Sequence, residues 1–302
     1  MSATVILNPY ANRWNSRRRW PHAEAALKTA GVAFELLVTD GPGDATRFAE
    51  RAAQGGHFPV IAAGGDGTIS EVVNGLGLAQ GDGTLGPLGI LPLGSANDLA
   101  YALKIPGELE GAARVIAAGR TRLMDVGCVD GKLFANNSAV GLEPYVTTLQ
   151  VKITRVEGML RYLVAALQGI WARPAWTARL EWDEGSYEGP LTLMSIGIGS
   201  RSGGVFYMIP HADPFDAKLT FVFGYRSGRR EMLALLPRAM KPDKGSYVEA
   251  EGMREIHTTR LKVHLDKPSP AHTDGELFSQ PVSDLEYELL PAKLHILTPT
   301  QD

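Results

Sequence analysis

A short apolar strand that runs into a glycine-rich turn, and from there into a helix, constrains this chain more than any other feature. The segment is FPVIAAGGDGTISE, residues 58–71. Its three glycines allow positive φ angles and let backbone N–H groups approach a ligand closely. A helix start adds unpaired N–H donors and the positive end of the helix dipole, which together favour an anion. Thr68 and Glu71 have capping-box spacing, which predicts that the helix begins at Thr68.

Asp66 lies among these glycines, where a carboxylate would repel a phosphate unless a cation lay between them. The turn therefore predicts a loop for phosphate and magnesium; the alternative is a tight strand-to-helix turn that binds nothing. The chain lacks a Walker A lysine at this turn, and the G-x-G-x-x-G spacing of dinucleotide-binding proteins is absent around Gly64.

A second turn of the same design follows in the segment LGILPLGSAND, residues 88–98. Ser95 and Asp98 repeat the capping-box spacing and predict a helix over residues 95–103. Asn97 and Asp98 would place an amide and a carboxylate near a metal ion or a hydroxyl substrate. The alternative for Ser95 and Asp98 is simple helix capping.

Strand and helix signals alternate over the first 120 residues. Short continuous apolar strands between helices imply a mostly parallel sheet covered on both faces, which is a three-layer α/β domain. Ligands bind such sheets at the carboxyl ends of the strands, where both glycine turns must lie. The predicted strands are 5–7, 34–38, 59–63 and 88–91, and the predicted helices are 17–29, 44–54, 68–78 and 95–103.

After Gly119 the pattern becomes mostly β. Asp130-Gly131 is a strong hairpin signal between strands 121–129 and 132–137. The later strands have few helices between them, which predicts an antiparallel β-sandwich domain. We therefore expect an α/β domain over residues 1–121 and a β-rich domain over 122–290, with 291–302 free to join the first. The later strands are predicted at 178–182, 191–197, 218–223, 260–264, 285–289 and 293–297, and two helices at 156–171 and 229–240.

Composition excludes several classes of protein. A net charge of −3 over 302 residues argues against a nucleic-acid partner. The one cysteine, Cys128, suits a reducing cytoplasm. The apolar run 4–7 is too short for a signal peptide, and 162–172 is too short for a membrane span. The seven histidines have no metal-ligand spacing. We expect a soluble cytoplasmic protein that contacts membranes peripherally; its oligomeric state stays open, a homodimer included.

The order and spacing of four blocks resemble the diacylglycerol kinase catalytic-domain family, which includes bacterial lipid kinases and sphingosine kinases. The blocks are Asn8-Pro9, the GGDGT turn, LPLGSAND and Asp274-Gly-Glu276, and the resemblance extends over about residues 4–298. It implies ATP-dependent, magnesium-dependent phosphorylation of a lipid hydroxyl, with residues 1–121 as the nucleotide-binding domain and 122–290 as the lipid-substrate domain. It also implies catalytic roles for Glu276 as base and for Asp66 and Asp98. By the same resemblance, the nucleotide contacts are Asn8, Thr39, Gly64, Gly65, Asp66, Gly67, Thr68, Ile69, Ser70, Ser95 and Asn97.

The resemblance further implies a structural magnesium site in the segment DPFDAK, residues 213–218. Asp216 would be the ligand, with the backbone carbonyls of Asp213 and Lys218. Ala217 stands where the family often has glycine, which is a departure from the pattern.

The lipid itself is not identified by the sequence, since diacylglycerol, phosphatidylglycerol and sphingoid bases all offer a hydroxyl beside apolar chains. The helix predicted at 156–171, with Arg155, Arg161 and Arg173 along it, has the composition of an interfacial helix, although a core-facing helix has it too. Two other functions stay open: phosphorylation of a soluble nucleotide, as in NAD kinases, which share GGDGT, and a non-catalytic regulator that binds lipid or nucleotide.

Overall fold

The computed structural model describes residues 3–153, 158–172, 174–226, 228–241 and 246–300. The first half of the chain alternates strands and helices as predicted. Its elements are β1 (Ala3–Leu7), α1 (Asn15–Thr29), β2 (Phe34–Val38), α2 (Asp44–Gln54), β3 (Val60–Gly64), α3 (Asp66–Gln80), β4 (Leu85–Pro92), α4 (Asp98–Ala102) and α5 (Leu109–Ala118).

The four strands of this half form a parallel sheet in the order β2-β1-β3-β4. β1, β3 and most of β4 are buried, which matches their continuous apolar sequences. The predicted α/β domain is confirmed. Helix α5 was not predicted, and α4 is shorter than the predicted helix over 95–103 because Asn97, at φ 52°, delays its start.

The second half is mostly β. Its elements are β5 (Thr121–Val129), β6 (Lys132–Phe134), β7 (Asn137–Gly141), α6 (Leu142–Lys152), α7 (Gly158–Ala172), β8 (Trp176–Trp182), β9 (Gly185–Leu191), β10 (Leu193–Gly197), β11 (Leu219–Gly224), α8 (Arg229–Met240), β12 (Met253–Thr258), β13 (Arg260–Ser269), β14 (Ala271–Thr273), β15 (Glu276–Leu277) and β16 (Val282–Leu297), with a 3₁₀ turn at Tyr247–Glu249. Helix α6 was not predicted.

One long strand joins the two halves. β16 pairs antiparallel with β13 and β5, and near its end Leu294 and Ile296 pair in parallel with β4. Among the described residues the first sheet therefore runs through the whole molecule, in the order β2-β1-β3-β4-β16-β13-β8-β9. The expected domain boundary at residue 290 falls inside this strand.

A second, antiparallel sheet has the order β12-β11-β10-β7-β14-β15. It packs on β8 and β9 through aromatic side chains, since the rings of Trp182 and Phe221 lie 5.6 Å apart and those of Tyr187 and Phe223 lie 4.9 Å apart. The predicted β-sandwich is confirmed. In the part of the chain described, no helix is both long and apolar enough to cross a bilayer.

Candidate active site

The two glycine turns meet at the carboxyl ends of β3 and β4. These strands are parallel neighbours, and Leu93 N–H donates to the Gly64 carbonyl over 2.9 Å. A Cβ on Gly94 would lie 2.3 Å from the Cα of Gly65. Backbone therefore touches backbone where the turns cross, and neither position has room for a side chain.

The turn needs glycine for space, not for positive φ. Gly64, Gly65 and Gly67 all avoid the positive-φ region, so that part of the prediction was wrong. A Cβ on Gly64 would lie 2.3 Å from the Thr68 hydroxyl, and a Cβ on Gly67 would lie 3.2 Å from Oε1 of Glu276. Glycine is therefore needed for close packing within the turn, and the approach of its N–H groups to a ligand stays a prediction.

Helix α3 begins at Asp66, two residues before the predicted start, so the capping box of Thr68 and Glu71 was wrong. The Thr68 hydroxyl instead accepts a hydrogen bond from Nδ2 of Asn8 over 3.1 Å. The Glu71 carboxylate accepts from the N–H groups of Gly43 and Ala45, each at 3.1 Å, and so caps the start of α2. As at any helix start, the first N–H groups of α3 have no carbonyl partner one turn earlier within the helix.

The second predicted capping box was also wrong. Ser95 is exposed and its hydroxyl donates to Oδ1 of Asn12 over 2.9 Å. Asn97 is the residue that closes the turn: its Oδ1 accepts from Gly94 N–H at 2.9 Å, and its Nδ2 donates to the Gly94 carbonyl at 3.2 Å. Asp98 begins α4 and points into the protein, where only 4% of the residue is exposed.

Three aspartates form the acidic centre of the site. Burial, reinforced by the negative charges of Asp98 and Asp274, raises the pKa of Asp66 to about 7. One Asp66 oxygen accepts from Leu99 N–H over 3.1 Å, which opposes that rise. Residues from the first glycine turn, the second turn and the β14–β15 hairpin are thus close enough to change each other's ionisation.

Arg201 is the counter-ion of Asp98, and sequence reasoning missed it. Its Nε donates to Oδ1 of Asp98 over 2.7 Å, and its Nη2 donates to the Ala96 carbonyl over 3.0 Å. The guanidinium lies 3.8 Å from the ring centre of Tyr101. Burial raises the pKa of Asp98, while Arg201 opposes the rise. Arg201 follows β10 more than 100 residues away, and nothing in its local sequence marks it.

Asp274 builds the turn that carries Glu276. With φ 48° at Asp274 and 82° at Gly275, the two residues connect β14 to β15, and Thr273 pairs with Glu276. The Asp274 carboxylate accepts from three backbone N–H groups at 2.9–3.1 Å. Those donors are Ala135, Asn136 and Asn137, which connect β6 to β7. This turn places Glu276 beside Gly67.

Burial raises the pKa of Glu276, and the nearby charge of Lys132 opposes that rise. Lys132 Nζ lies 3.7 Å from Oε2 of Glu276. The Glu276 side chain is 41% exposed, so it is reachable from solvent although it contacts the glycine turn. Lys132 follows the Asp130-Gly131 hairpin, a position the sequence located without indicating its role.

The other predicted nucleotide residues lie at or near the same strand ends. Asn8 and Thr39 follow β1 and β2, and Thr39 N–H donates to the Leu7 carbonyl at 2.9 Å. Thr39, Ile69 and Ser70 are almost fully buried. Ser70 lies beside the Asp274 carboxylate. Asn8 and Thr68 face each other across the turn, as described above.

The predicted magnesium loop is a separate feature. Oδ1 of Asp216 accepts from Lys218 N–H at 2.9 Å, and Oδ2 of Asp125 accepts from Ala217 N–H at 2.8 Å. Burial raises the pKa of Asp216, and Asp213 and Asp125 add to the rise. Ala217 has φ 56°, which explains why glycine suits this position. Asp125, which also accepts from Ala292 N–H, was not predicted.

A divalent cation fits the chemistry of the acidic centre. Mg²⁺ prefers carboxylate oxygens, and a cation would relieve the repulsion that raises the pKa of Asp66. Across the described ranges, no cluster of three or more His, Cys, Asp or Glu side chains is close enough to hold a metal by itself. A cation here would therefore need oxygens from the nucleotide or from water as well.

An apolar cavity of about 90 Å³ lies on the outer face of the second sheet, under α6, α7 and α8. Its walls are almost entirely hydrocarbon, including Val146, Ile170, Phe206, Met232 and Leu236. The polar residues at its wall are Glu143, Thr192, Arg226 and Tyr247, and Glu143 accepts from the hydroxyls of Ser195 and Ser202 at 2.6 Å.

Glu143 also connects the cavity to the strand that leads to the active site. Its Oε1 lies 3.5 Å from Nε2 of His272 on β14, two residues before Asp274. Burial acts to raise the pKa of Glu143, but hydrogen bonds from His272, Ser195 and Ser202 outweigh it and lower that pKa. The cavity and the acidic centre therefore share one strand.

A helix N-terminus, two glycine turns and a set of buried carboxylates lie together at the carboxyl ends of β3 and β4, an arrangement typical of phosphotransferases. The comparisons with known proteins agree. Residues 2–129 match the diacylglycerol kinase catalytic domain, and residues 137–298 match the YegS C-terminal NAD kinase beta sandwich-like domain. A diacylglycerol kinase of Staphylococcus aureus (strain bovine RF122 / ET3-1) is 30% identical over 270 residues, which is 87% of this chain and 85% of that protein.

This chain belongs to the diacylglycerol kinase catalytic-domain family. Two solved structures share its fold. A diacylglycerol kinase from Bacillus anthracis str. Sterne superposes with a TM-score of 0.74 at 19% identity, over 99% of this chain and 97% of that one. Yeast NADH kinase in complex with NADH is more distant, with a TM-score of 0.53 at 10% identity over 100% and 84% of the two chains.

Proposed function

We propose that this protein transfers the γ-phosphoryl group of ATP to the hydroxyl of a membrane lipid. The observation that carries the proposal is the position of Glu276, whose Oε1 lies 3.2 Å from where a Cβ on Gly67 would be, at the glycine turn and beside the helix N-terminus. A base and a phosphate-binding turn within one crevice are what in-line transfer to an alcohol requires.

The nucleotide phosphates would lie on the N–H groups at the start of α3, with Asn8 and Thr68 at their side. Asp66 and Asp98 would hold Mg²⁺, which neutralises charge on the phosphate oxygens when bound. Arg201 holds Asp98 in place and opposes the rise in its pKa, and Asp274 fixes the hairpin that presents Glu276.

In the transfer, the lipid hydroxyl oxygen bonds to the γ-phosphorus as the bond to the β–γ bridging oxygen breaks, and ADP leaves. Glu276 accepts the hydroxyl proton. Burial raises its pKa, which makes the carboxylate a better base than an exposed glutamate, and the charge of Lys132 opposes that rise.

Support for a lipid acceptor comes from the cavity under α6, α7 and α8. Its hydrocarbon walls suit an acyl chain, and its link through Glu143 and His272 to β14 leads toward Glu276. The metal loop at Asp213, Asp216 and Lys218 stays a prediction, with a role in the structure of the second domain.

Transfer of ³²P from Mg-ATP tests the proposal. The wild-type protein is incubated with mixed micelles of diacylglycerol, phosphatidylglycerol or a sphingoid base, and in parallel with NAD. We expect label in a lipid product with at least one acceptor and none in NADP. Label in NADP alone would show that the acceptor is a soluble nucleotide and not a lipid. Label in neither product would support the alternative of a non-catalytic regulator.

A further inference from the structure

Helix α7 has two apolar faces, and only one of them is covered. Ala165, Ala166 and Ile170 are at most 5% exposed and pack toward α6 and the cavity. Leu160, Leu167 and Trp171 are 59%, 44% and 69% exposed. Because these positions are seven and four residues apart, they lie on one side of the helix. A helix of a water-facing domain normally has polar residues there.

This exposed face continues onto α8. The Arg229 guanidinium lies 4.1 Å from the ring centre of Trp171 and donates two hydrogen bonds to the Trp171 carbonyl. Leu233, one turn further along α8, is 42% exposed. We call the surface formed by Leu160, Leu167, Trp171 and Leu233 the α7–α8 face.

Charge distinguishes an anionic bilayer from other partners of this face. The charged residues of α7 and α8 are four arginines (Arg161, Arg229, Arg230 and Arg238) and one glutamate (Glu231), in a chain whose net charge is −3. Arg229 lies on Trp171 and Arg230 is exposed, whereas Nε of Arg161 is buried and Arg238 pairs with Glu249 over 3.4 Å. Apolar side chains beside arginines, with a tryptophan among them, are the composition of a helix that lies in the membrane interface.

The cavity lies directly behind this face. Ala166 and Ile170 of α7 and Met232, Leu235, Leu236 and Ala239 of α8 line it. The two helices thus present one set of side chains to the outside and another to the cavity. Helices α7 and α8 therefore separate the cavity from this face, and an acyl chain leaving a bilayer here would pass between or beside them to reach it.

We propose that the α7–α8 face docks this protein on anionic phospholipid bilayers, with Leu167 and Trp171 inserted and Arg229 and Arg230 at the phosphates. The inference extends the proposed function, because it says where a lipid acceptor would enter. Arg155 and Arg173, which the sequence also placed along this helix, lie outside the described residues, as does the side chain of Met159.

Sedimentation of the full-length protein with vesicles tests the docking without any kinase assay. Vesicles of equimolar phosphatidylglycerol and phosphatidylcholine are compared with pure phosphatidylcholine. We expect Leu167→Ser and Trp171→Ala each to lower the partition coefficient roughly tenfold on the mixed vesicles. Leu78→Ser, which replaces a 65% exposed leucine of α3, is the matched control and should bind like the wild type. Unfolding midpoints confirm that all variants fold.

Arg230→Gln should weaken binding to the anionic vesicles and leave the low binding to phosphatidylcholine unchanged. Phosphorylation of dihexanoylglycerol, which is water-soluble, should not change in Leu167→Ser. Equal vesicle binding by Leu167→Ser, Trp171→Ala and the wild type would overturn the proposal, whatever the lipid kinase assay gives. So would a loss of self-association in these variants with unchanged vesicle binding, since the face would then join two copies.

Discussion

Removal of the Arg201 charge should destabilise the protein more than any surface substitution. The side chains of Arg201 and Asp98 are 13% and 6% exposed, and their ion pair is 2.7 Å long. Losing one member of a buried pair costs about 3–5 kcal/mol, because the other charge stays buried without compensation. Arg201→Met keeps most of the side-chain volume over Tyr101 and removes the charge. We therefore expect a loss of about 3–4 kcal/mol at pH 8, measured by urea unfolding.

The loss should depend on pH. Arg201 opposes the rise in the pKa of Asp98, so without Arg201 that pKa rises further and Asp98 takes up a proton at higher pH. Protonation relieves the unpaired buried charge. The stability difference between wild type and Arg201→Met should thus be smaller at pH 5 than at pH 8.

Two comparisons complete the test. Arg179→Met breaks the exposed pair with Glu181, whose side chains are 63% and 47% exposed, and should cost less than about 1 kcal/mol. Asp98→Asn in the Arg201→Met background should recover part of the lost stability. A cost below about 1 kcal/mol for Arg201→Met at pH 8, or a cost equal at both pH values, would refute the idea that Arg201 compensates a buried Asp98 charge.

Three further predictions concern the glycine turns and their acids. With a chelator present, the free energy of unfolding should fall by up to ~4 kcal/mol between pH 4 and 7, because Asp66, with a pKa of about 7, keeps a proton that the unfolded chain loses near 3.8. In urea titrations at several pH values, Asp66→Asn should make this fall smaller. An unchanged dependence on pH would contradict the raised pKa of Asp66. Gly94→Ala should lower the free energy of unfolding by about 2 kcal/mol or more, measured by calorimetry, because its Cβ would meet the Gly65 backbone. Gly107→Ala is the control, since a Cβ there would meet nothing within 4 Å. Equal losses in the two variants would argue against the close crossing of the two glycine turns. Glu71→Ala should lower the free energy of unfolding by about 1–2 kcal/mol, because α2 loses its N-terminal cap. Glu50→Ala, at an exposed position, should leave it nearly unchanged. Equal effects of the two substitutions would contradict the capping role of Glu71.

Local patterns predicted the strands, most helices and the glycine turns, because each depends on residues close together in the chain. The apolar run before Gly64 predicted a buried strand, and Asp130-Gly131 predicted a hairpin turn. Helix starts were less certain. Thr68 and Glu71 have the spacing of a capping box, yet both side chains found partners outside α3, in Asn8 and α2. Spacing alone does not show which of several available donors a carboxylate will take.

The contacts that complete the site join distant parts of the chain, and a single sequence does not show which distant segments become neighbours. Arg201 reaches Asp98 from beyond β10, and Asp274 bonds to the backbone of residues 135–137 from the β14–β15 turn. The family resemblance located Glu276, because it marks a short block, but it did not indicate Lys132 beside it. Helix α7 showed the same limit: its sequence is apolar on both sides, and only the fold decides which side stays exposed.

The central claim is a shared crevice in which Glu276 accepts the proton of the acceptor hydroxyl. Its most direct test is Glu276→Gln, assayed for both phosphoryl transfer and nucleotide binding. The change keeps the shape beside Gly67 and removes the base. We expect ³²P transfer to the lipid accepted by the wild type to fall at least about a hundredfold, while calorimetry gives a Kd for Mg-ATP within about threefold of the wild type. Transfer at a near wild-type rate would contradict the account.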